Sequence, residues 1–390
     1  MSSTNQTAMK NYASLLHFKS YFIEIVLPTW ISSAFDDVTG QFMEGLQIDG
    51  SADPSGIVRT RTAARVVYVF AHATALGVAP QGSLQKAERA FANLSATSRI
   101  GTQTQGFPRS ISYRTGAVVD SERDLYDHAC VLLALTWLAQ ATGKATYRNQ
   151  IDDTITAMDD MLTAPHGGWA EDSLGTIPRR QNPHMHCFES FLALAEAYAA
   201  PAHIARASEL YGLFRSRFFD EATNTLREYF GPAWEIGDIY GSGRIEPGHM
   251  AEWVWLIGRY VKWSGRDLSS LTAKILDNTL SVGRQAGTPF LIDETSVDGI
   301  PTKQSRRLWP QAELIKAYIT QARLTGNSDY LEHAEQLTAA LLETYLAHTP
   351  RGTWRDCFDL NGRSIATSIP ASSLYHLWTV VCELIQLDRR

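Results

Sequence analysis

Six short polar clusters are the part of this 390-residue chain whose residue types could do chemistry. Each stands at the start of an apolar segment and brings together histidine, arginine, carboxylate, amide or indole groups. Convergent polar groups in a concave site are the default hypothesis for an active site. The clusters are Arg61 with Arg65, Asp124–His128, Asn182–His186, His249–Glu252, Trp309–Glu313 and Ser372–His376.

His249 and Glu252 are the clearest candidate pair for proton transfer. They are three residues apart at a predicted helix start, so their side chains face the same way. Glu252 can then hold one imidazole nitrogen and raise the basicity of the other, which is how a general base near neutral pH is usually built. The structural alternative is a surface His–Glu pair in a first helical turn.

His184 and His186 resemble a metal-ligand pair, but their spacing fits a strand and not a helix. Residues i and i+2 are about 200° apart around a helix, so one metal ion cannot easily take both. There is also no HExxH or other helix-compatible zinc spacing. We therefore predict no metal and no cofactor. Asn182 and His186, four apart, are expected on one side of the helix, and one of His184 and His186 is expected to be a core histidine.

Arg65 and His376 are single polar residues in otherwise apolar segments. A buried arginine needs a carboxylate or ligand oxygens as partners, so an internal salt bridge is the structural alternative for Arg65. For His376 the alternative is a hydrogen-bonded core histidine. Only the position of each residue within the series of clusters favours a functional role.

The elements that must position these clusters are helices. Apolar residues recur at i, i+3, i+4 and i+7 from end to end of the chain. Roughly twelve segments follow this pattern. They lie near 12–33, 60–77, 83–97, 123–143, 146–163, 184–200, 203–218, 248–264, 267–286, 309–326, 328–347 and 370–388.

Short and long joints alternate between these helices, which predicts a repeated helical hairpin. Breaker residues such as Thr142-Gly143 and Ser264-Gly265 form the short turns. Hairpin repeats must stack to bury their apolar faces. We predict an all-α fold, an (α/α)6 barrel in a single domain over residues 1–390, with an open solenoid as the alternative. The second helix of each consecutive pair begins with a polar cluster and should line the inside.

The long joints should gather at one mouth of the barrel and carry short β-hairpins. Two stretches in them, Ser110–Val119 and Pro289–Asp293, alternate in polarity like short strands. If the second helices line the inside, all six clusters converge at this mouth.

Composition excludes several classes of partner. The net charge is −6 without a Lys/Arg block, so no nucleic-acid partner is expected. No apolar run reaches the ~18 residues of a membrane span. Met1–Asn11 lacks the pattern of a secretory signal, and the four cysteines lie far apart, which fits free thiols in the cytoplasm. We expect a cytoplasmic monomer or homodimer with no membrane association. High aromatic content, with ten Trp and fifteen Tyr, suits a carbohydrate pocket.

Taken in order, the six clusters resemble the N-acylglucosamine 2-epimerase superfamily. The resemblance runs from about Arg65 to His376. Within the superfamily, Asn-Pro-His-Met-His at 182–186 and Pro-Gly-His at 247–249 with Glu-Trp at 252–253 are most similar to the mannose isomerases. The matching segments are 64–70, 124–129, 180–186, 246–253, 309–313 and 372–376.

The resemblance implies a D-mannose/D-fructose isomerase that works through a cis-enediol on a monosaccharide substrate, with D-lyxose/D-xylulose as a second pair. It implies His376 as the C–H base and His249, held by Glu252, as the ring-opening group. Arg61 departs from relatives that have an aromatic residue one turn before the arginine, which leaves the sugar subsite open. The implied substrate-binding residues are Arg65, Asn182, His186, Glu252 and Trp309.

Four alternatives remain open from the sequence. Three are enzymes, namely a 2-epimerase of the mannose/glucose or cellobiose type, a sulfoquinovose isomerase and an (α/α)6 glycoside hydrolase. The hydrolase would use two carboxylates about 6.5–9.5 Å apart, drawn from Asp124 or Asp127 with Glu252 or Glu313. The fourth is a carbohydrate-binding or protein-interaction scaffold without activity.

Overall fold

The computed structural model describes residues 12–53, 56–100 and 103–388. Residues 1–11, which the sequence predicts to lack a secretory signal, lie outside these described ranges. The same holds for residues 389–390, the last two of the predicted single domain. No helix within the described ranges is long and apolar enough to cross a membrane.

Twelve helical segments follow one another along the described residues. The first, α1, is continuous and consists of Ala13–Tyr21, a π-helical turn Phe22–Val26 and Leu27–Ser33. Two later helices also end in π-helical turns, at Phe214–Phe218 and Leu342–Leu346. The others are α2 Thr60–Ala75, α3 Ser83–Ala96, α4 Leu125–Thr142, α5 Ala145–Met161, α6 Gln181–Tyr198, α7 Pro201–Leu213, α8 Pro247–Ser264, α9 Ser269–Gly283, α10 Leu308–Thr325, α11 Asp329–Leu341 and α12 Ser372–Asp388.

The even-numbered helices form a closed inner ring, as the sequence predicts. Each packs on the next even-numbered helix, and α12 packs on α2 to close the ring. The inner helices are buried on almost every side through their first turns, whereas the outer helices bury one stripe. This difference is expected when one layer of helices encloses another. The arrangement is an (α/α)6 barrel, and the open-solenoid alternative is wrong.

The short-turn hairpins run from an inner helix to the outer helix that follows it. Gly143 and Gly326, at φ +70° and +73°, end α4 and α10 and allow an immediate reversal. This order leaves α1 without an inner helix before it. It packs instead on α12 and α11. The sequence predicts a pairing of each outer helix with the inner helix that follows it. The structure corrects this pairing: each later outer helix packs on the inner helix that precedes it, and α1 packs on the last inner helix, α12.

Short antiparallel strands occupy the long joints at the mouth. Some pair within one loop, namely β1 (Phe35–Asp36) with β2 (Gln41–Phe42), β5 (Arg99–Ile100) with β6 (Gln103–Thr104), and β10 (Phe219–Asp220) with β11 (Thr225–Leu226). Others join one loop to the next: β4 (Ile57–Arg59) with β7 (Ser110–Ser112) and β8 (Val118–Asp120), β9 (Arg179–Arg180) with β12 (Tyr229–Phe230), β13 (Arg244–Ile245) with β14 (Thr295–Ser296), β15 (Ser305–Arg307) with β16 (Cys357–Asp359), and β17 (Ile369–Pro370) with β3 (Gly45–Leu46).

These loop-to-loop pairs form a second ring above the inner helices. The bridge between Asp124 and Asp172 joins the second loop to the third, and β17 with β3 joins the last loop to the first. Most inner helices begin directly after a paired strand. The mouth loops therefore fix the positions of the inner helix N-termini, where the polar clusters stand.

The sequence prediction for the loops is right at one stretch and wrong at the other. Strands β7 and β8 occur within Ser110–Val119. Pro289–Asp293 forms no strand apart from an isolated bridge at Leu291. The reason is that the Gln311 side chain of α10 takes both Leu291 backbone groups, at 2.8 and 3.0 Å. The alternation there reflects burial against a helix.

Ring closure should make the N-terminal segment essential for stability. Phe22 of α1 is fully buried, and its ring centre lies 6.1 Å from that of Trp378 on α12. Phe22→Ala should lower the free energy of unfolding by about 3–5 kcal/mol, the usual cost of a large core truncation. Denaturant unfolding measures this. Val38→Ala is the control, since Val38 is 88% exposed and should change stability by less than about 0.5 kcal/mol. Equal losses of stability in the two variants would show that the packing of α1 on α12 does not stabilise the ring.

Candidate active site

The seven predicted site residues line one cavity of about 290 Å³ at the mouth of the barrel. Each comes from the first turns of an inner helix, so all six inner helices contribute or lie beside it. The sequence therefore placed the set correctly, although placement alone assigns no role. These residues are Arg65, Asn182, His186, His249, Glu252, Trp309 and His376.

His249 is held by Glu228 and not by Glu252, which corrects the sequence prediction. Its Nδ1 lies 3.0 Å from a carboxylate oxygen of Glu228 and 3.9 Å from one of Glu246. Glu228 is buried and also accepts a 2.9 Å hydrogen bond from the Gln181 side-chain amide. Although His249 and Glu252 are three residues apart on α8, they do not contact each other, and neither carboxylate oxygen of Glu252 has a hydrogen-bond partner in the described structure. Nε2 of His249 has no hydrogen bond among the described residues, which leaves it available to a ligand.

Trp309 lies between the two candidate catalytic histidines. Its ring centre is 5.0 Å from that of His249 and 5.3 Å from that of His376. Gly248 makes this approach possible, because a Cβ there would lie 2.6 Å from the indole ring. The glycine beside His249 is therefore a packing requirement for the cavity.

His376 is held in the same manner by a second glutamate. Its Nδ1 lies 2.6 Å from a carboxylate oxygen of Glu313 on α10. Glu313 is fully buried and contacts Lys316 one turn later, at 2.7 Å from Nζ. Burial and the neighbouring Glu252 raise the pKa of Glu313 well above its usual range, and the Lys316 ammonium offsets part of this rise. Like that of His249, Nε2 of His376 has no hydrogen bond in the described part of the chain.

The two histidines have opposite protonation preferences. Burial alone lowers the pKa of His249, but the Glu228 and Glu246 carboxylates outweigh it and raise the pKa to about 9. Burial lowers the pKa of His376 well below 6.5, and the positive charges of Arg65 and Lys316 lower it further. At neutral pH the cavity thus holds an imidazolium acid and a neutral imidazole base. Pairs of titratable groups with separated pKa values mark acid and base assignments.

Arg65 has no carboxylate within ion-pair distance among the described residues, so the salt-bridge alternative is wrong. The Arg65 side chain is buried against two tyrosine rings and donates to the Tyr126 hydroxyl at 2.6 Å. It also lies 3.2 Å from Nε2 of His186. Arginine only donates, so this nitrogen accepts and Nδ1–H of His186 donates to Glu189 at 3.1 Å. Burial lowers the pKa of His186, consistent with this neutral tautomer.

His184 is the core histidine of the double-histidine run. Its Nε2 accepts from the Trp169 backbone N–H at 3.0 Å, and its Nδ1 lies 3.1 Å from the Arg180 carbonyl. Both ring nitrogens serve the loop above α6. His186 is the residue of the pair that lines the cavity, and α6 begins at Gln181, three residues before the predicted start at 184.

Several buried polar groups at the cavity lack partners. Both carboxylate oxygens of Glu252 are buried without a hydrogen bond in the described structure, and so are Oδ1 of Asn182 and Nε of Arg65. Glu252 itself is fully buried. Unsatisfied buried polar atoms are rare in folded proteins and need a reason. A ligand with several hydroxyl groups would satisfy all of them at once.

Three clusters of histidine and glutamate bring their donor atoms within 4.8 Å of one another. Each contains one of the imidazole–carboxylate contacts described above, so the donor atoms of each set are partly engaged. Arg65 and Lys316 place positive charge beside two of the clusters, which opposes a cation. These carboxylates are better placed to orient the three imidazoles through hydrogen bonds than to bind a metal ion.

The structure adds functional residues that the sequence did not single out. Tyr126 belongs to the Asp124–His128 cluster, so its position in a first helical turn was a usable signal. Glu228 lies in a mouth loop 21 residues before His249 and carries no such signal. The remaining additions at the cavity wall are Arg59, Thr62, Glu246, Lys303 and Arg307, and the wall also includes Arg61, Ser372 and Ser373 from the predicted clusters.

Glu252→Gln should raise the thermal unfolding midpoint, by about 2 °C or more. The substitution removes a buried charge that has no hydrogen-bond partner, and such replacements are often stabilising. Glu313→Gln is the control, because its carboxylate contacts both His376 and Lys316 and its loss should lower the midpoint. Calorimetry on both variants checks this. A lower midpoint for Glu252→Gln would mean that Glu252 has a structural partner.

Comparison with known proteins identifies the family of this chain. The family model for N-acylglucosamine 2-epimerase (GlcNAc 2-epimerase) matches residues 40–380. A mannose-6-phosphate isomerase from Rhizobium meliloti (strain 1021) is 30% identical over 382 residues, 93% of this chain and 94% of the relative. A D-mannose isomerase from Thermobifida fusca is 26% identical over 336 residues, 80% of each chain.

A solved structure supports the fold independently. The crystal structure of a D-mannose isomerase superposes with a TM-score of 0.86 at 20% identity, over 95% of this chain and 97% of the other. At that identity the match concerns the fold alone, which agrees with the (α/α)6 ring described above. With the family model spanning most of the chain and both histidine–glutamate pairs in one cavity, this protein is a sugar isomerase or epimerase that belongs to the N-acylglucosamine 2-epimerase family.

Proposed function

We propose that the protein interconverts D-mannose and D-fructose through a cis-enediol, with D-lyxose and D-xylulose as a second pair. One observation carries the proposal: His249 and His376 flank Trp309 in one cavity, each held at Nδ1 by a buried glutamate, with opposite protonation at neutral pH. A 1,2-proton transfer needs one acid and one base on a small substrate. The Thermobifida fusca relative bears the name of this activity.

His249 acts first, as the acid that opens the pyranose. Its Nε2–H donates a proton to the ring oxygen as the C1–O5 bond breaks, and the neutral imidazole then takes up the proton of the C1 hydroxyl, which leaves the open-chain aldehyde and restores the imidazolium. Glu228 stabilises the imidazolium before the transfer and fixes which nitrogen faces the cavity. This role agrees with the ring-opening assignment from the sequence, with Glu228 in place of Glu252.

His376 moves the carbon-bound proton. Its neutral Nε2 removes the proton from C2, and the electron pair of that C–H bond forms the C1–C2 double bond of the enediol. The same imidazolium then returns the proton to C1 as the ketone forms at C2. Arg65, whose Nε has no partner in the described structure, stabilises the negative charge that develops on the oxygens, as in an oxyanion site. Nε2 of His186 accepts from both Arg65 and the Tyr126 hydroxyl, so these two contacts hold the guanidinium in place.

Three other residues hold the sugar. Glu252 accepts hydrogen bonds from two hydroxyls, which satisfies its unpartnered oxygens. Asn182 binds a further hydroxyl through its unpartnered Oδ1. Trp309 presents its ring to the apolar face of the sugar between the two imidazoles. No step uses a metal ion or cofactor.

Incubation with single sugars in D2O tests the proposal. Mannose, fructose, lyxose, glucose and cellobiose are each incubated with the protein in buffer that contains EDTA, and NMR identifies the products. We expect fructose from mannose with deuterium incorporated at carbon. His376→Asn should abolish both product and exchange, since loss of a general base typically costs 10²–10⁴-fold.

The alternatives give different products in the same assay. Glucose formed from mannose before fructose would make the protein a 2-epimerase, and unchanged sugar would favour a binding scaffold. Release of monosaccharide from a glycoside would indicate a hydrolase. The aspartate of each carboxylate pair suggested for hydrolysis is already engaged, because Asp124 caps α4 and Asp127 pairs with Arg61 at 2.8 Å.

A phosphorylated substrate is the second candidate. The 30% identical relative is a mannose-6-phosphate isomerase, and Arg59, Lys303 and Arg307 bring partly exposed cations to the cavity wall. Each of these cations already faces a carboxylate, which favours the neutral sugar. The ratio of kcat/KM for mannose and mannose 6-phosphate decides between them. Lys303→Ala should reduce only activity on the phosphate.

A cytoplasmic location is also part of this proposal. All four cysteines are free thiols, three of them buried. Reducing compartments keep thiols in this state.

The acid–base assignments predict a bell-shaped pH profile. Activity should rise as His376 loses its proton, below pH 6.5, and fall as His249 loses its proton near pH 9. Glu228→Gln keeps a hydrogen-bond acceptor for His249 but removes the charge that raises its pKa. The alkaline limb of kcat/KM should therefore move to lower pH, with the acid limb in place.

Glu171→Gln is the matched control for this shift. Glu171 is a buried mouth-loop carboxylate that pairs with Arg180 and contacts neither imidazole. Its pH profile should match that of the wild type. An alkaline limb that stays near pH 9 in Glu228→Gln would remove His249 as the acid.

A further inference from the structure

Lys316 is a fully buried lysine directly beneath the active site. Its Nζ lies 2.7 Å from a carboxylate oxygen of Glu313, whose other oxygen faces Nδ1 of His376 at 2.6 Å. The ammonium also sits 3.5 Å from the ring centre of Trp255, on the side away from the cavity. Burying a lysine is costly unless it is paired. Lys316 does not reach the cavity wall, so its position implies action through Glu313.

The second histidine–glutamate pair lacks this cation. Glu228 has no lysine or arginine within ion-pair distance in the described part of the chain, and its partners are His249 and the Gln181 amide. The two pairs are otherwise alike, with each glutamate buried and each contact made through Nδ1. They differ by the positive charge beside Glu313 and by Glu246, a second carboxylate that lies 3.9 Å from Nδ1 of His249.

The Lys316 ammonium determines whether the imidazole beside each glutamate has to carry a second proton. A buried carboxylate is stable only when an opposite charge or a proton compensates it. For Glu228 the proton on His249 supplies the compensation. For Glu313 the Lys316 ammonium supplies it, so His376 does not need a second proton.

We propose that Lys316 is a positioning residue that makes His376 the proton acceptor of the pair by neutralising the Glu313 carboxylate. The proposal rests on the function proposed above and explains its division of labour. Two imidazoles in one cavity would otherwise compete for the same role. Lys316 acts from outside the substrate cavity and touches no substrate atom.

Other charged groups around His376 do not replace Lys316. Arg65 on α2 also lowers the pKa of His376, but it donates to Tyr126 and His186 and does not contact Glu313, and His186 on α6 is neutral. On α8, protonated His249 adds positive charge across Trp309, whereas Glu252 adds negative charge within 4.8 Å. Among the described residues, only the lysine forms an ion pair with Glu313.

Lys316→Met tests the proposal, because methionine has a similar length and packs well against the Trp255 ring. Without the ammonium, Glu313 and His376 together should retain one extra proton at neutral pH. Whichever of the two holds it, Nε2 is then no longer a free base. The acid limb of the pH profile for kcat should move up by about one pH unit or more, with activity recovered at high pH.

Arg323→Met is the matched control on the same helix. Arg323 is a largely buried cation that pairs with Glu383 at 2.8 Å and does not contact the histidine–glutamate pair. It should lower the unfolding midpoint but leave the acid limb in place. If both variants lose activity uniformly with unshifted limbs, Lys316 is only structural and the proposal is wrong.

The double variant Lys316→Met with Glu313→Gln keeps the proposal testable if the single variant folds poorly. It removes both charges, so nothing buried remains to hold the extra proton, and the acid limb should return to the wild-type position or below. A limb that stays raised in the double variant would overturn the proposal.

Titration of ¹⁵N-labelled histidine side chains by NMR gives a readout independent of turnover. The His376 signal is assigned by its loss in His376→Asn. In the wild type it should titrate below pH 6.5, and in Lys316→Met at higher pH. An unchanged titration contradicts the role of Lys316. If the wild type instead interconverts no sugar, the proposed function fails, while this titration still decides whether Lys316 controls His376.

Discussion

Closure of the inner helical ring is the constraint on which the site depends. An inner helix that is buried on nearly all sides is stable only when neighbours on both flanks complete its packing. The contact of α12 with α2, covered by α1, supplies the last neighbour. Since all six inner helices run in the same direction through the ring, their N-termini meet at one mouth. Polar clusters more than 300 residues apart in sequence thereby share one cavity.

The same geometry gives the cavity an electrostatic character. Helix N-termini carry partial positive charge from unpaired backbone N–H groups. Six of them converge around the cavity, with Arg65 and protonated His249 adding full charges. In the reaction proposed above, this field would stabilise the negative charge of the enediolate, and it is in place before a substrate binds. The buried carboxylates of Glu228, Glu252 and Glu313 balance part of this positive charge.

How much of this could be predicted from the sequence depends on the range of each interaction. The helices and the ring follow from periodicity and joint lengths, whereas the seven cavity residues follow from polar first turns together with the resemblance to the N-acylglucosamine 2-epimerase superfamily. The partner of His249 does not. Glu252 was the expected partner by helical spacing, whereas the side chain in contact is Glu228 from another loop. Gln311 likewise converts a strand-like pattern at Leu291 into a helix contact.

The active site also explains where this fold departs from good packing. Glu252, Asn182 and Arg65 keep unsatisfied polar atoms in a buried wall, a cost that a stable core would avoid. The loop-to-loop strands around the mouth hold the inner helix starts in place, so these groups cannot turn away and pair with one another. Stability is supplied by the lower barrel and the outer helices, and the mouth is left pre-organised for a hydroxyl-rich ligand. Rigid support around an unsatisfied site is what lets the two imidazoles keep different protonation states a few ångströms from the same indole ring.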